Sequence, residues 1–179
     1  HACIDATLHL TKEHQLTVDQ IENITALVPE EVVKTVCEPL DNKQAPTCAY
    51  EAQFSVPYLV AVALVRHDFT LADLEPTPLA DPVVAALAKK VIYQVDPNSG
   101  FPTYYSGEVH ITLKDGRVLK HREHKNRGCF DRPLSADDIA KKFFLNCQLA
   151  ISKNKATEIQ QAILNLASFS SVTELTSHL

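Results

Sequence analysis

The chain has 179 residues, of which 45% are apolar and 22% charged, and its net charge is −5. That balance is typical of a globular domain and excludes a disordered, collagen-like or coiled-coil chain. Mild acidity argues against a nucleic-acid binder, and no apolar run reaches the roughly 20 residues that a membrane-spanning helix needs.

The chain contains no methionine and opens on His1-Ala2-Cys3. No signal-peptide pattern is visible there, and the expectation is a processed chain or a piece of a longer one. His1 and Asp5 are four apart and share a face if this segment is helical. Asp19 to Ile24 starts a short helix or leads into a strand. Ile24 to Val28 reads as a short strand ended by Pro29. Pro29-Glu30-Glu31 opens a helical turn, because acidic side chains favour a helix N-terminus. Leu40 to Tyr50 is polar, holds Pro46 and reads as a connecting loop.

Gln53 to Arg66 carries a wide apolar face (Phe54, Tyr58, Val62, Val65, flanked by Ala61 and Leu64) and reads as a buried helix with Pro57 in its first turn. Asp81-Pro82 is a cap followed by proline at the first helical position, opening a helix to about Lys90. Val91 to Val95 is a β-branched, aromatic strand. After a turn-rich loop from Pro97 to Gly107, Glu108 to Leu113 alternates, with Val109, Ile111 and Leu113 on one face. Lys114-Asp115-Gly116-Arg117 predicts a hairpin, with Val118 to His124 as the return strand. Ser135 caps a long helix to about Ala150 with Ile139, Phe143 and Leu149 inside. Ala156 to Ala167 is a further amphipathic helix, and Val172 to His178 a last one. The fold class is α+β, a small, mostly antiparallel sheet packed with helices in two layers.

Five cysteines (Cys3, Cys37, Cys48, Cys129, Cys147) show no paired spacing and read as free thiols of a cytoplasmic protein. His121 and His124, three apart on a strand, point to opposite faces and do not share a metal. Cys129 beside Gly128 is conceivable as a nucleophile, but no hydrolase signature surrounds it. The segment from Lys114 to Arg127 carries +4, leaving −9 for the rest. Taken alone, it reads as a solvated hairpin face that resists edge pairing. Its alternative reading is a carboxylate-binding surface, with Lys125 and Arg127 beside Gly128 as the candidate cations.

Four stretches in order resemble the MmgE/PrpD family, the 2-methylcitrate dehydratases and their relatives. His1-Ala2-Cys3-Ile4-Asp5-Ala6 is similar to the family's histidine–aspartate segment. Glu51 to Ala61 is similar to its A-x-F-S-x-P-Y-x-x-A helix start. Asp81-Pro82-Val83 with Leu87-Ala88-Lys89-Lys90-Val91 is similar to its D-P-x-V and L-A-x-K-V element. Gly128 with Arg132-Pro133-Leu134-Ser135, Asp138-Ile139 and Lys142-Phe143 resembles its closing pattern.

The resemblance implies the C-terminal part of a lyase that acts on small di- and tricarboxylates without metal or organic cofactor. It favours a 2-methylcitrate dehydratase-like reaction, with a decarboxylase or an epimerase of the same family as alternatives. It implies a lid-like α+β domain over residues 1–150, and C-terminal helices over 151–179 that pack on a helical domain outside this chain. It also implies a homodimer, with no nucleic-acid or membrane partner. His1 matches the family histidine that faces the active site, as an acid/base or substrate-orienting group. Asp5 is its structural support, and the basic segment, with Arg127 and Lys125, is the candidate source of cations for the carboxylates of such a substrate. Two departures stand out. His67-Asp68 replaces a glycine common after the first long helix, and Leu40 stands where the decarboxylase branch carries an active-site tyrosine. A non-catalytic binding or dimer-forming module is the alternative from another class, since these residues alone assemble no complete acid/base pair. That reading predicts an exposed apolar patch including Phe54, Tyr58 and the C-terminal helices.

Overall fold

The computed structural model describes residues 1–177. They form two compact units, divided between Pro133 and Leu134. The first unit is a four-stranded mixed sheet with helices on one face. Strand β1 (Ile21–Val28) pairs in parallel with β2 (Val91–Val95) and antiparallel with β3 (Gly107–Leu113). β3 in turn pairs antiparallel with β4 (Val118–Glu123), in the order β2-β1-β3-β4. One parallel and two antiparallel pairings make the sheet mostly antiparallel, as the α+β reading requires.

The hairpin between β3 and β4 follows its turn chemistry. Gly116 adopts φ +88°, the left-handed region that glycine enters without steric cost. Asp115 accepts from the Arg117 N–H at 3.0 Å. That turn sets the register, so Val109 faces His121 and Glu108 faces Arg122. Val109, Ile111 and Leu113 are buried, with the intervening Glu108, His110 and Thr112 on the other face.

Helix α1 (Ala2–His14) lies over β3 and β4. Its buried stripe is Ala2, Cys3, Ala6, Thr7, Leu10 and Thr11, mostly small residues that let the helix approach closely. Thr7 and Thr11 satisfy their buried hydroxyls on the carbonyls of Cys3 and Thr7, both at 2.7 Å. Pattern reading places no helix here beyond the His1/Asp5 spacing, because a narrow stripe of small residues gives a weak apolar signal.

Between β1 and β2 run α2 (Glu30–Val36), α3 (Leu40–Gln44), α4 (Ala49–Gln53), α5 (Val56–Arg66), α6 (Pro76–Leu79) and α7 (Pro82–Ala88). The stretch expected as a loop over 40–50 therefore contains α3 and the start of α4. The cause is a tertiary anchor: the ammonium of buried Lys43 donates to the carbonyls of Thr35 at 2.7 Å and Phe54 at 2.8 Å. Ser55 caps α5 by accepting from the Tyr58 N–H at 3.0 Å. Tyr58, Val60, Val62 and Leu64 of α5 are all buried, each contributing about 1.5–3 kcal/mol by burial. Tyr58 therefore belongs to the core and not to an exposed patch, and its hydroxyl donates to the Asp73 carbonyl at 2.5 Å. Phe54 is 37% exposed and touches Tyr50.

The second unit holds α8 (Ala136–Cys147), α9 (Lys153–Leu164) and α10 (Val172–Thr176). Ser135 caps α8 as expected. Ile139 and Leu149, expected inside, are 57% and 49% exposed. The helix forms where periodicity places it, but these two side chains are exposed. His178, the last residue expected in the final helix, lies outside the described residues.

Helix α5 ends on His67, exposed at φ +57° with its N–H donating to the Ala63 carbonyl at 3.0 Å. A side chain in this conformation costs about 1–2 kcal/mol, which glycine escapes at the expense of a freer unfolded chain. His67→Gly is expected to stabilise the protein by about 0.5–1 kcal/mol, read as a small rise in melting temperature. An unchanged or lowered melting temperature contradicts this account of the helix end.

Candidate active site

Helix α1 and the segment after β4 converge at one end of the first unit. Their approach is set by Gly107, the first residue of β3. A Cβ there would stand 3.1 Å from both the Ala2 Cβ and the Cys3 thiol. A side chain there would press on the start of α1, which would have to give by a few tenths of an ångström.

His1 occupies the exposed N-cap of α1, and its carbonyl accepts from the Asp5 N–H at 3.0 Å. Asp5 is one turn further on, its side chain 16% exposed and its carboxylate 3.7 Å from the Arg127 Nε. Burial pushes the Asp5 carboxyl up from its ordinary value, against the pull of Arg127. Asp5 and Arg127 therefore meet at this end of α1, one turn from the exposed His1.

Lys125 is engaged differently. Its ammonium pairs with Asp131 and sits 4.9 Å over the Tyr104 ring, and the Tyr104 hydroxyl donates to the same carboxylate at 2.7 Å. Hydrogen bonds from Lys125, Tyr104 and Cys129 hold the Asp131 carboxyl well below the usual range. Cys129 donates its thiol to Asp131 at 3.1 Å.

Arg132 closes the segment, pairing with the Glu123 carboxylate and donating to the Lys125 carbonyl at 2.6 Å. Gly128, at φ +90°, donates its N–H to the Arg132 carbonyl at 2.8 Å. The loop that carries Arg127 is thus tied at both its ends.

A second network lies on the uncovered face of the sheet. Arg122 contacts both oxygens of the fully enclosed Asp96 carboxylate at 2.6 and 2.9 Å, and Glu108 at 2.5 Å. His110 meets the other Glu108 oxygen at 2.6 Å. The Arg122 hydrogen bonds pull Asp96 below its ordinary value. Glu108 is also lowered, because His110 and Arg122 together outweigh burial, which raises it. Sequence reading missed this network, although the Asp-Gly turn implies that Glu108 and Arg122 are cross-strand partners. Asp96 carried no local signal.

Among the described residues, no group of three or more His, Cys, Asp or Glu side chains is placed to hold a metal ion. No helix among them is long and apolar enough to cross a membrane. A groove of about 640 Å³ lined by Arg66, Pro76, Thr77 and Pro82 shares no residue with the His1 cluster.

A family profile, the MmgE/PrpD C-terminal domain, matches residues 1–168. The chain belongs to the MmgE/PrpD family. It is 28% identical over 160 residues to cis-aconitate decarboxylase of Mus musculus, an alignment covering 88% of this chain and 31% of that protein. It is 26% identical over 159 residues to cis-aconitate decarboxylase of Homo sapiens, covering 85% and 33%. The chain thus spans about a third of the length of these curated relatives. The family's histidine–aspartate segment is the first turn of α1, and its closing pattern runs from the Arg127 loop into α8. Leu40, where the decarboxylase branch has a tyrosine by resemblance, begins α3.

The Arg122 network yields a stability prediction. Removing Arg122 leaves the enclosed Asp96 carboxylate without its guanidinium, so Arg122→Met is expected to cost about 3 kcal/mol near neutral pH. Asp96 has a lowered folded value, so its contribution is present above about pH 4 and is lost as pH falls further. The gap between wild type and variant should narrow below that pH in denaturant melts. A gap that is constant with pH contradicts the assignment.

Proposed function

We propose that this chain is the C-terminal domain of a cofactor-independent lyase acting on small di- or tricarboxylates, by dehydration of a 2-methylcitrate-like β-hydroxy acid. The observation that supports the reading is the Asp5–Arg127 pair one turn from His1, on the segment that resembles the family's histidine–aspartate pattern. Dehydration needs a base for the α-proton, an acid for the departing hydroxyl and cations for the carboxylates. His1 serves as acid/base or orienting group, because imidazole exchanges a proton near neutral pH. Arg127 takes a substrate carboxylate, and Asp5 steadies that guanidinium. Lys125 contributes to the same carboxylates by exchanging Asp131 for substrate.

One imidazole does not complete the acid/base set. The remaining groups come from parts of the protein beyond these 179 residues, against which the exposed apolar faces of α8 and α9 pack. The assembly is a homodimer.

A second reading, decarboxylation of cis-aconitate, is favoured by the two curated relatives. Both are tested on the full-length protein by supplying 2-methylcitrate and cis-aconitate separately. The absorbance of the unsaturated product marks dehydration, and carbon dioxide release marks decarboxylation. Turnover of neither leaves the non-catalytic module.

In the full-length protein His1→Ala is expected to lower kcat/KM by about 100-fold or more. Arg127→Ala is expected to raise KM by roughly tenfold or more through loss of a carboxylate contact. Wild-type kinetics for His1→Ala would remove His1 from the chemistry.

A further inference from the structure

Two irregular loops of the first unit meet at Asp131: the one that joins β2 to β3 and the one that follows β4. The first carries Tyr104, whose N–H donates to the Gly100 carbonyl at 2.9 Å. Its neighbour Tyr105 donates its N–H to the Asn126 side chain at 3.1 Å, which ties the two loops together. In the second loop the Lys125 carbonyl accepts from Arg132 at 2.6 Å, and Cys129 pairs antiparallel with Arg132. Tyr104, Lys125 and Cys129 are therefore each held through their backbone.

All three side chains donate to one carboxylate. One oxygen of Asp131 accepts from the Tyr104 hydroxyl at 2.7 Å and from the Lys125 ammonium, and the other accepts from the Cys129 thiol at 3.1 Å. The arrangement is open to solvent, with the Lys125 side chain 45% exposed and that of Asp131 24%. The ammonium stands 4.9 Å over the Tyr104 ring, and the Phe130 ring, 86% exposed, stacks 6.4 Å from the same ring at 17°. An ordinary surface ion pair has two partners and little energy. Here a cation, a phenol and a thiol converge on both carboxylate oxygens, with a large apolar ring standing in water beside them. Orienting polar groups next to apolar surface are what a small carboxylic acid needs from a binding site.

We propose that Tyr104, Lys125 and Cys129 form a carboxylate subsite and that Asp131 is its built-in occupant, displaced when a ligand carboxylate arrives. This deepens the lyase reading and takes the substrate class from it. It adds Tyr104 as a second substrate donor beside Lys125, and Asp131 as an internal competitor. The backbone ties of the loop do not involve the Asp131 carboxylate, so rotation of one partly exposed side chain empties the subsite. One carboxylate leaves as another enters, and Phe130 meets the carbon skeleton. Asp131 competes at the high effective concentration of a tethered group. A ligand with one carboxylate is therefore disfavoured, whereas one that also reaches Arg127 on the same loop is not.

The test uses tricarballylate, which has three carboxylates and no hydroxyl to lose. Its Kd for the full-length protein is measured by calorimetry at fixed ionic strength near neutral pH. Asp131→Asn removes the competing charge with little change of shape and is expected to tighten binding by about tenfold. Adding Tyr104→Phe to that variant is expected to lose about fivefold of this affinity, because the phenol then serves the ligand. If Asp131→Asn folds poorly, Asp131→Ala decides by the same comparison. Unchanged or weaker affinity in the folded variant overturns the proposal. So does a gain that Tyr104→Phe leaves intact, since deleting a surface negative charge alone would produce it. Turnover separates the two readings. A Tyr104-dependent gain without turnover of 2-methylcitrate or cis-aconitate keeps the subsite and removes the lyase reading, whereas turnover without the gain does the reverse.

Discussion

The close seating of α1 on the sheet is the constraint on which the site depends. It is helped by what is absent at Gly107, a side chain that would press on Ala2 and Cys3. Small residues on the buried stripe of α1 continue the same logic down the helix. Close packing brings the first turn of α1 within reach of the segment that leaves β4. Asp5 can then meet Arg127, and His9 can lie flat on His121.

The charges are organised locally, not as a field. The sequence shows a basic run from Lys114 to Arg127, which suggests a broadly cationic surface. In the folded unit most of that run is matched: Arg117 by Asp115, Arg122 by Asp96 and Glu108, Lys125 by Asp131. Arg132, just beyond it, is matched by Glu123. Such pairs place guanidinium and ammonium groups in fixed positions. They also hold the loop after β4 as a tied structure, which suits a group that must present Arg127 reproducibly.

Much of this was legible in the sequence where local chemistry and global packing agree. The Asp-Gly turn fixed the register of β3 and β4, alternation named the buried residues of β3, and Asp81-Pro82 and Ser135 marked helix starts that the structure contains. The family resemblance pointed to His1 and Asp5, and the basic run pointed to Arg127, which the fold places beside Asp5. Legibility failed where tertiary contacts override local pattern. Lys43 collects backbone carbonyls and turns a polar loop into helix. Tyr58 sinks into the core because its hydroxyl finds the Asp73 carbonyl. Ile139 and Leu149 read as core from their spacing but are exposed in the fold. Asp131 and Tyr104 were missed because their partnership with Lys125 joins two irregular loops that no periodicity describes.

The internal pairing also bears on selectivity under the lyase reading. A cation waiting in water gives up only solvent when a carboxylate arrives. Lys125 must instead give up Asp131, and Arg127 must loosen from Asp5. Exchange of one carboxylate for another is nearly neutral in charge, so a single carboxylate gains little by it. A substrate with two or three carboxylates makes several such exchanges from one binding event, and its later contacts carry no further loss of translational freedom. A wall of pre-paired cations therefore discriminates against monocarboxylates without any residue dedicated to excluding them.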